Sequence, residues 1–415
     1  MARSSLPQNY VINTGTLFED FETLADWTKA SSASSEIAVD TSIFKTGTKS
    51  LKLTGSTDTH VCIADKVLNT SLLNAGIFRT WVYLPSLTNL TSVRIYLSST
   101  TNYSKYFSIQ YNAAVLHTGW NCIETGRGDF GASGGEVWSN TFVRLRVGVY
   151  GSDDSVVAYF DSMYTGVYSR PKCLVTFDDG WDSAYNEGYT YMATKGLKGT
   201  IYIIGDDIGT ADNMTLENCQ TVYNAGWDLA THGGTVLTTL ATQALQEAEI
   251  SSNEEFLTVN GFTRASKHYA YPGGGNDANS LAALAALGYK TARTIIDRTQ
   301  SNNLDQPYLL CRQAVYNTTT QAATKVFIDN AIARGNSVWL NYHILVAADA
   351  DVSTKVLNSD FEAVIDYIKT KVDSNQIDCV TVSEWYEGLT NPRYRSVPIT
   401  RSVAGTRTSV SRTSI

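Results

Sequence analysis

From Lys172 onward, short apolar runs suited to strands alternate with stretches of helical period. That alternation restricts this half of the chain to an α/β arrangement around parallel strands. Strands are expected near residues 173–177, 199–204, 227–231, 267–271, 289–294 and 338–342. Helices are expected near 181–195, 215–225, 240–260, 279–287, 320–334 and 360–372. Each polar constellation follows one of these strands directly: Asp178 and Asp179, then His232, then Pro272-Gly273-Gly274-Gly275, then His343. In parallel α/β barrels the reactive groups gather at the carboxyl ends of the strands, so residues far apart in sequence are expected to meet there.

The 415 residues exceed one ordinary core, and the chain changes character near residue 170. Residues 17–168 are rich in Thr, Ser, Tyr and Asn. Short alternating runs such as Val93–Leu97 and Phe142–Tyr150 are separated by turn signals such as Thr46-Gly47-Thr48-Lys49. The expectation is an antiparallel β-sandwich at 17–168, preceded by an arm at 1–16. An α/β domain at 169–390 and a tail at 391–415 follow. A net charge of −8 argues against general nucleic-acid affinity, which needs a basic surface, and no apolar stretch is long enough to cross a bilayer. Six scattered cysteines without a Cys-x-x-Cys read as buried thiols.

The run Cys173-Leu174-Val175-Thr176-Phe177-Asp178-Asp179-Gly180 is an apolar strand ending in two adjacent carboxylates and a turn. Strand alternation predicts that Asp178 and Asp179 leave the backbone on opposite sides. Two neighbouring acids stay ionised only if water, a cation or hydrogen-bond donors compensate them, which points to a metal or an acid/base site. A divalent ion on Asp179 and His232 would make a strong nucleophile of bound water, with Asp178 as base and His343 as proton donor. Arg293 would keep Asp178 ionised. Adjacent carboxylates suit this chemistry better than glycoside hydrolysis, which sets two acids several Å apart across a sugar ring.

In order and type, these residues resemble the polysaccharide deacetylase family, carbohydrate esterase family four, over about residues 170–390. Thr176-Phe177-Asp178-Asp179-Gly180 is similar to the family's first motif, which implies Asp178 as general base and Asp179 as metal ligand. His232 matches the first His of the second motif, and Val236 stands where its second His ligand belongs. Tyr271-Pro272-Gly273-Gly274 resembles the third motif; the implied role of Tyr271, Pro272 and Gly273 is to line the pocket and offer the Gly273 N–H to the oxyanion. Gly288–Arg293 and Leu340-Asn341-Tyr342-His343 resemble the segments supplying the base-holding Arg and the general-acid His. Residues 380–385 resemble the family's closing strand. The likeness implies a distorted (β/α) barrel and a divalent metal, zinc first among candidates, with Thr235, Asp228, Asn276 or Asp277 available to replace the absent ligand. His268, four residues before Pro272 on a strand, is too far from the active end to serve.

The sandwich's first and last segments, Phe18–Glu22 and Tyr159–Ser162, resemble the paired edge strands of jelly-roll carbohydrate-binding modules. The likeness makes Glu19, Asp20 and Asp161 candidates for a structural calcium, against the plainer reading of solvated edge carboxylates. Trp81, Tyr83, Tyr103, Tyr106 and Trp120 are candidates to stack on sugar rings, although aromatics in a sandwich more often form core. The first nine residues lack an apolar export core, and the tail carries Arg393, Arg395, Arg401, Arg407 and Arg412 without an acid. The resulting expectation is an enzyme removing N- or O-acetyl groups from a bacterial surface polysaccharide, extracellular or virion-associated like a phage tail component. Other virion proteins would meet the tail, and a homo-oligomer fits such an assembly. The alternative is a non-catalytic glycan-binding virion protein on a degenerate scaffold, favoured by the missing His.

Overall fold

The computed structural model describes residues 12–13, 15–31, 34–153, 156–304 and 306–390; the tail at 391–415 lies outside them. Its N-terminal part is a sandwich of two antiparallel sheets, one of seven strands and one of six. Thr16–Glu19 pairs with the long strand Val157–Ser169, joining the first and last segments, and Ile12–Asn13 adds to the same strand ahead of residue 17. Between the sheets lie Phe21, Leu51, Leu53, Val82, Leu97, Leu145, Val147 and Phe160, all buried. The strand Thr141–Gly151 shifts register between Phe142 and Arg144, a bulge that lets Phe142 and Leu145, three residues apart, both face the core.

The candidate calcium residues are engaged by the protein itself. Glu19 Oε2 pairs with Lys66 Nζ at 2.7 Å and its Oε1 accepts the Phe21 N–H. Asp20 Oδ1 accepts the Glu22 N–H at 3.0 Å. Asp161, buried on the outer face of the seven-stranded sheet, accepts the Lys45 and Thr46 N–H groups and the Ser162 hydroxyl. Among the described residues no three Asp, Glu, His or Cys side chains gather around a point that could hold a metal. Of the two readings of these carboxylates, this arrangement favours the plainer one, since each has at least one oxygen already held by the protein.

The C-terminal part is a parallel barrel. Its strands are β1 (Lys172–Phe177), β2 (Thr200–Ile203), β3 (Asp228–His232), β4 (Ala265–Ala270), β5 (Thr291–Asp297), β6 (Leu310–Ala314) and β7 (Ser337–Tyr342). They run side by side in this order, and β1 pairs with both β7 and β2 to close the ring. The two-residue β8 (Asp378–Cys379) pairs with Lys172 and Cys173, leaving Thr176 and Phe177 to pair with β2. Alternation divides β1 cleanly. Cys173, Val175 and Phe177 pack outward with Ile328, Val364, Ile365 and Ile368 of the covering helices. Leu174 points inward with Tyr202, Ala230, Leu310 and Trp339.

Two elements depart from expectation. β6, Leu-Cys-Arg-Gln-Ala, does not read as a buried strand, yet all five residues are buried. Asp297 Oδ1 at 3.2 Å and the Tyr316 hydroxyl at 3.1 Å take the Arg312 guanidinium, which offsets part of the cost of burying it. Residues 380–385 are not a strand: a helix runs from Val382 to Thr390. Thr381 and Glu384 cap it reciprocally, the Glu384 carboxylate accepting the Thr381 N–H and the Thr381 hydroxyl accepting the Glu384 N–H. This helix drives Trp385 into the inward cluster, where its indole N–H donates to Ser337 Oγ at 2.8 Å.

The two domains touch along one face. Arg334, ending the helix Gln321–Arg334, pairs with Asp129 at 2.8 Å, and Asn303 donates to the Cys122 sulfur at 3.0 Å. No disulfide joins the cysteines among the described residues. No helix among the described residues is long and apolar enough to cross a membrane.

Trp385→Ala removes a fully buried indole and a hydrogen bond, so the barrel's urea unfolding transition should lose about 3–5 kcal/mol. Denaturation followed by circular dichroism measures it, with Trp385→Phe expected to lose less.

Candidate active site

β1 ends at Phe177, and the next two residues enter the barrel mouth differently from the expectation. Asp178 continues the inward row of Leu174 and Thr176. Asp179 has φ +72° and Gly180 φ +85°. Asp is among the few non-glycine residues that tolerate this left-handed region. The turn breaks strand alternation, so both carboxylates face the mouth rather than opposite sides.

Arg293, on β5, reaches across the mouth. Its Nη2 lies 2.7 Å from each oxygen of Asp178, and its guanidinium stacks 5.2 Å above the Tyr202 ring. The pair is almost wholly enclosed, with Arg293 1% and Asp178 5% exposed. Burial alone would push the Asp178 carboxyl up. The charges of Arg293, His232 and His343 and the Arg293 hydrogen bonds outweigh it, holding the carboxyl well below the usual range. His343, just past β7, places Nε2 3.9 Å from Asp178 Oδ2. Burial lowers its imidazole, and the carboxylates of Asp178 and Asp179 only partly offset that. Its Nδ1 has no hydrogen-bond partner among the described residues.

His232 ends β3. Its Nδ1 lies 2.7 Å from the Ala270 carbonyl, which can only accept, so Nδ1 carries a proton and Nε2 is the nitrogen turned to the mouth. Nε2 faces Asp179 Oδ1 at 3.3 Å, while the Trp181 indole N–H holds Oδ2 at 3.0 Å. Burial lowers the imidazole, but the Asp179 hydrogen bond and the charges of Asp178 and Asp179 outweigh it and raise it, so a proton or a cation is favoured between Nε2 and the carboxylate. A nitrogen and a carboxylate oxygen at this separation could both serve one divalent ion. A backbone carbonyl fixing the tautomer and an indole fixing the carboxylate are the outer supports such a site needs.

No third protein ligand joins them among the described residues. Val236 packs toward the Pro-Gly-Gly-Gly turn, its methyls 3.3 Å from where a Cβ on Gly273 would sit and 2.5 Å from one on Gly275. The loop before it is tied down by Glu249, whose Oε1 accepts the Thr235 N–H at 3.0 Å. A Cβ on Gly233 would meet the Tyr269 hydroxyl at 2.8 Å, so this close approach requires glycine. Asp228 is spent at the opposite end of β3 on Arg264 and the Ser383 N–H, and Asp277 caps the helix Ala278–Ala286. Asn276 donates to the Gly274 carbonyl. His268 is buried against Tyr386 with Nδ1 on Thr291.

The third motif needs one correction. Ala270 faces the lumen, so Tyr269 and Tyr271 face outward, and Tyr271 packs beneath the helices with Tyr289 and Leu284 rather than lining the mouth. Its backbone still serves: Tyr271 N–H donates to the Arg293 carbonyl at 3.1 Å. Gly273 turns with φ 57°, and its N–H donates to no group among the described residues, which suits an oxyanion donor. Trp181 and Tyr202 were not anticipated. Trp181 directly follows Asp-Asp-Gly, and that adjacency was the available signal.

Residues 165–292 match the family profile described as Polysaccharide deacetylase. That stretch of the barrel domain is similar to the polysaccharide deacetylases. YxkH of Bacillus subtilis strain 168, assigned by its name to the polysaccharide deacetylases, is 28% identical over 124 residues, 30% of this chain and 44% of YxkH. The match thus spans less than half of that relative's length. Among solved structures, a family 4 carbohydrate esterase from Streptomyces lividans in complex with acetate is 18% identical, with a TM-score of 0.35. It covers 51% of this chain and 93% of its own. A family 11 carbohydrate-binding module from Clostridium thermocellum is 14% identical, covering 36% of this chain and 93% of its own, with a TM-score of 0.29. Within this barrel the site residues come from β1, β3, β5 and β7 and the loop after β4.

Arg293→Met leaves the Asp178 carboxylate buried without its cation, an expected loss of about 3–5 kcal/mol. Adding Asp178→Asn should recover part of it, and a double-mutant cycle by chemical denaturation reads the coupling.

Proposed function

We propose that the protein is a metal-dependent deacetylase removing N- or O-linked acetyl groups from a bacterial surface polysaccharide. The observation that carries this reading is the joint presence, in one barrel mouth, of an ionised Asp178, His232 with Nε2 beside Asp179, and His343 next to Asp178. Asp179 and His232 would hold a divalent ion, zinc being the best match to a mixed N/O donor pair; when bound it supplies Lewis acidity toward water and the acyl oxygen. Arg293 keeps Asp178 charged and oriented, so the carboxylate can take a proton from an attacking water. A proton does not rest on so acidic a group. The imidazole 3.9 Å away is the nearest route onward, and His343 Nε2 can deliver a proton to the departing amine or alkoxide. The Gly273 N–H is placed to donate to a developing oxyanion.

An acetylated polysaccharide as substrate also gives the sandwich a role in holding the chain near the barrel. For location, we place the protein outside the cell or on a virion such as a phage tail. The five arginines and absent acids of residues 391–415 support a docking segment for other virion proteins, and a homo-oligomeric particle component would use it repeatedly. Finding the tail dispensable for particle association by pull-down would remove that part.

Val236 in place of a second His favours one competing reading, a glycan-binding virion protein on a degenerate scaffold. Acetate release from acetylated polysaccharides separates the two. Asp178→Asn is expected to lower kcat/KM about 10²-fold or more, and chelation to abolish release until metal is restored. Undetectable release with every glycan and metal tried leaves the binding reading. Metal content is a separate measure: His232→Ala should lose bound metal, and Trp181→Phe should weaken metal affinity about 10–100-fold in a competition titration. Equal metal in wild type and His232→Ala excludes His232 as a ligand.

A further inference from the structure

Where the sandwich meets the barrel, about 280 Å³ of space continuous with solvent is lined from both domains. The sandwich contributes Trp81, His117 and Trp120; the barrel contributes Arg298 and Gln306 from the segment linking β5 to β6.

Arg298 is what makes this space more than a packing defect. Its Nε donates to the Cys311 sulfur at 3.0 Å, and among the described residues no carboxylate lies within ion-pair distance of it. Carboxylates on adjoining elements are committed elsewhere: Asp129 to Arg334 at 2.8 Å and Asp297 to Arg312 at 3.2 Å. A half-buried cation that faces a solvent-filled recess without an anion leaves donors open to water or to a ligand. His117 does not compete for that ligand. Burial and the charge of Arg298 push its imidazole down to about 4, so it is neutral near pH 7. The Gln306 side-chain amide makes no hydrogen bond among the described residues, and its nitrogen lies 3.5 Å from where a Cβ on Gly119 would sit, next to Trp120. The half-buried indole of Trp120 gives a flat apolar wall, braced edge-on by Tyr83 at 5.4 Å.

We propose that this junction binds a carboxylate-bearing sugar residue, a hexuronate, with its carboxylate on Arg298 and the Gln306 amide and its ring against Trp120. A guanidinium and an amide N–H form a charge-assisted pair of donors for a carboxylate, and the indole face suits the C–H face of a pyranose. The site needs both domains, so it exists only in the docked arrangement and lies apart from the barrel mouth. Binding here is independent of acetyl hydrolysis.

The test titrates the full-length protein with D-glucuronate, D-galacturonate, D-glucose and acetate, followed by tryptophan fluorescence and ligand-observed NMR. Saturable binding of a uronate, at least tenfold tighter than glucose or acetate, is expected. Arg298→Gln and Trp120→Ala should each weaken it at least tenfold, with acetate release from the barrel unchanged. Gln306→Glu, which sets a negative charge at the edge of the pocket without emptying a buried position, should do the same if Arg298→Gln proves unstable. Equal affinity for glucose, acetate as tight as uronate, or uronate binding that survives Arg298→Gln or Gln306→Glu would each overturn the proposal.

Discussion

The enclosed contact between Asp178 and Arg293 ties the barrel to its chemistry. Two charges taken out of water are tolerated only when they meet with good hydrogen bonds, and here both carboxylate oxygens lie 2.7 Å from one guanidinium nitrogen. The partners sit on β1 and β5, on different sides of a closed ring, and are 115 residues apart in the chain. Neither can be satisfied by its own neighbours. Closure of the barrel and ionisation of the base are therefore one event. The Tyr202 ring beneath the guanidinium holds the arrangement from inside the lumen.

From that centre the remaining parts follow by strand geometry. Inward alternation places His232 and His343 at the same height as Asp178, because each directly ends or follows a strand whose preceding inward residue lies one layer lower. The other end of the lumen is filled by Trp339 and Trp385, which meet edge to face at 5.1 Å. A closed floor and an open rim confine reactive groups to one side. The sandwich approaches separately, and its contact with the barrel leaves a second polar space around Arg298 that shares no residue with the mouth.

Much of the site was legible because its members punctuate strand ends. Thr176-Phe177-Asp178-Asp179-Gly180, His232 and His343 each sit where an apolar run stops, and apolar runs are visible in a single sequence; Arg293 lies inside β5 and was found from its resemblance to the family segment. Three things were not. The direction of Asp179 depends on one backbone torsion, φ +72°, which overrides alternation and has no compositional sign beyond the following Gly180. The outward facing of Tyr271 depends on the phase of β4, which only its neighbours in the sheet establish. β6 was hidden because Arg312 looks like a surface residue until Asp297 and Tyr316 are found beside it. The helix at Val382–Thr390, by contrast, carried a readable Thr-x-x-Glu cap at Thr381 and Glu384 that outweighs its β-prone start.

By itself the sequence determined the division near residue 170, the parallel character of the second half, and the kinds of groups available to it, since these rest on local periodicity and residue chemistry. It also set a limit that no packing can remove: Val236 has no lone pair to offer a metal. Tertiary structure decided which groups meet. The 3.3 Å approach of His232 to Asp179, the Trp181 brace, the spending of Asp228 and Asp277 elsewhere and the unpaired guanidinium at the domain junction all depend on contacts between distant segments. Such contacts arise only when closure of the barrel and docking of the sandwich bring those segments within a few Å.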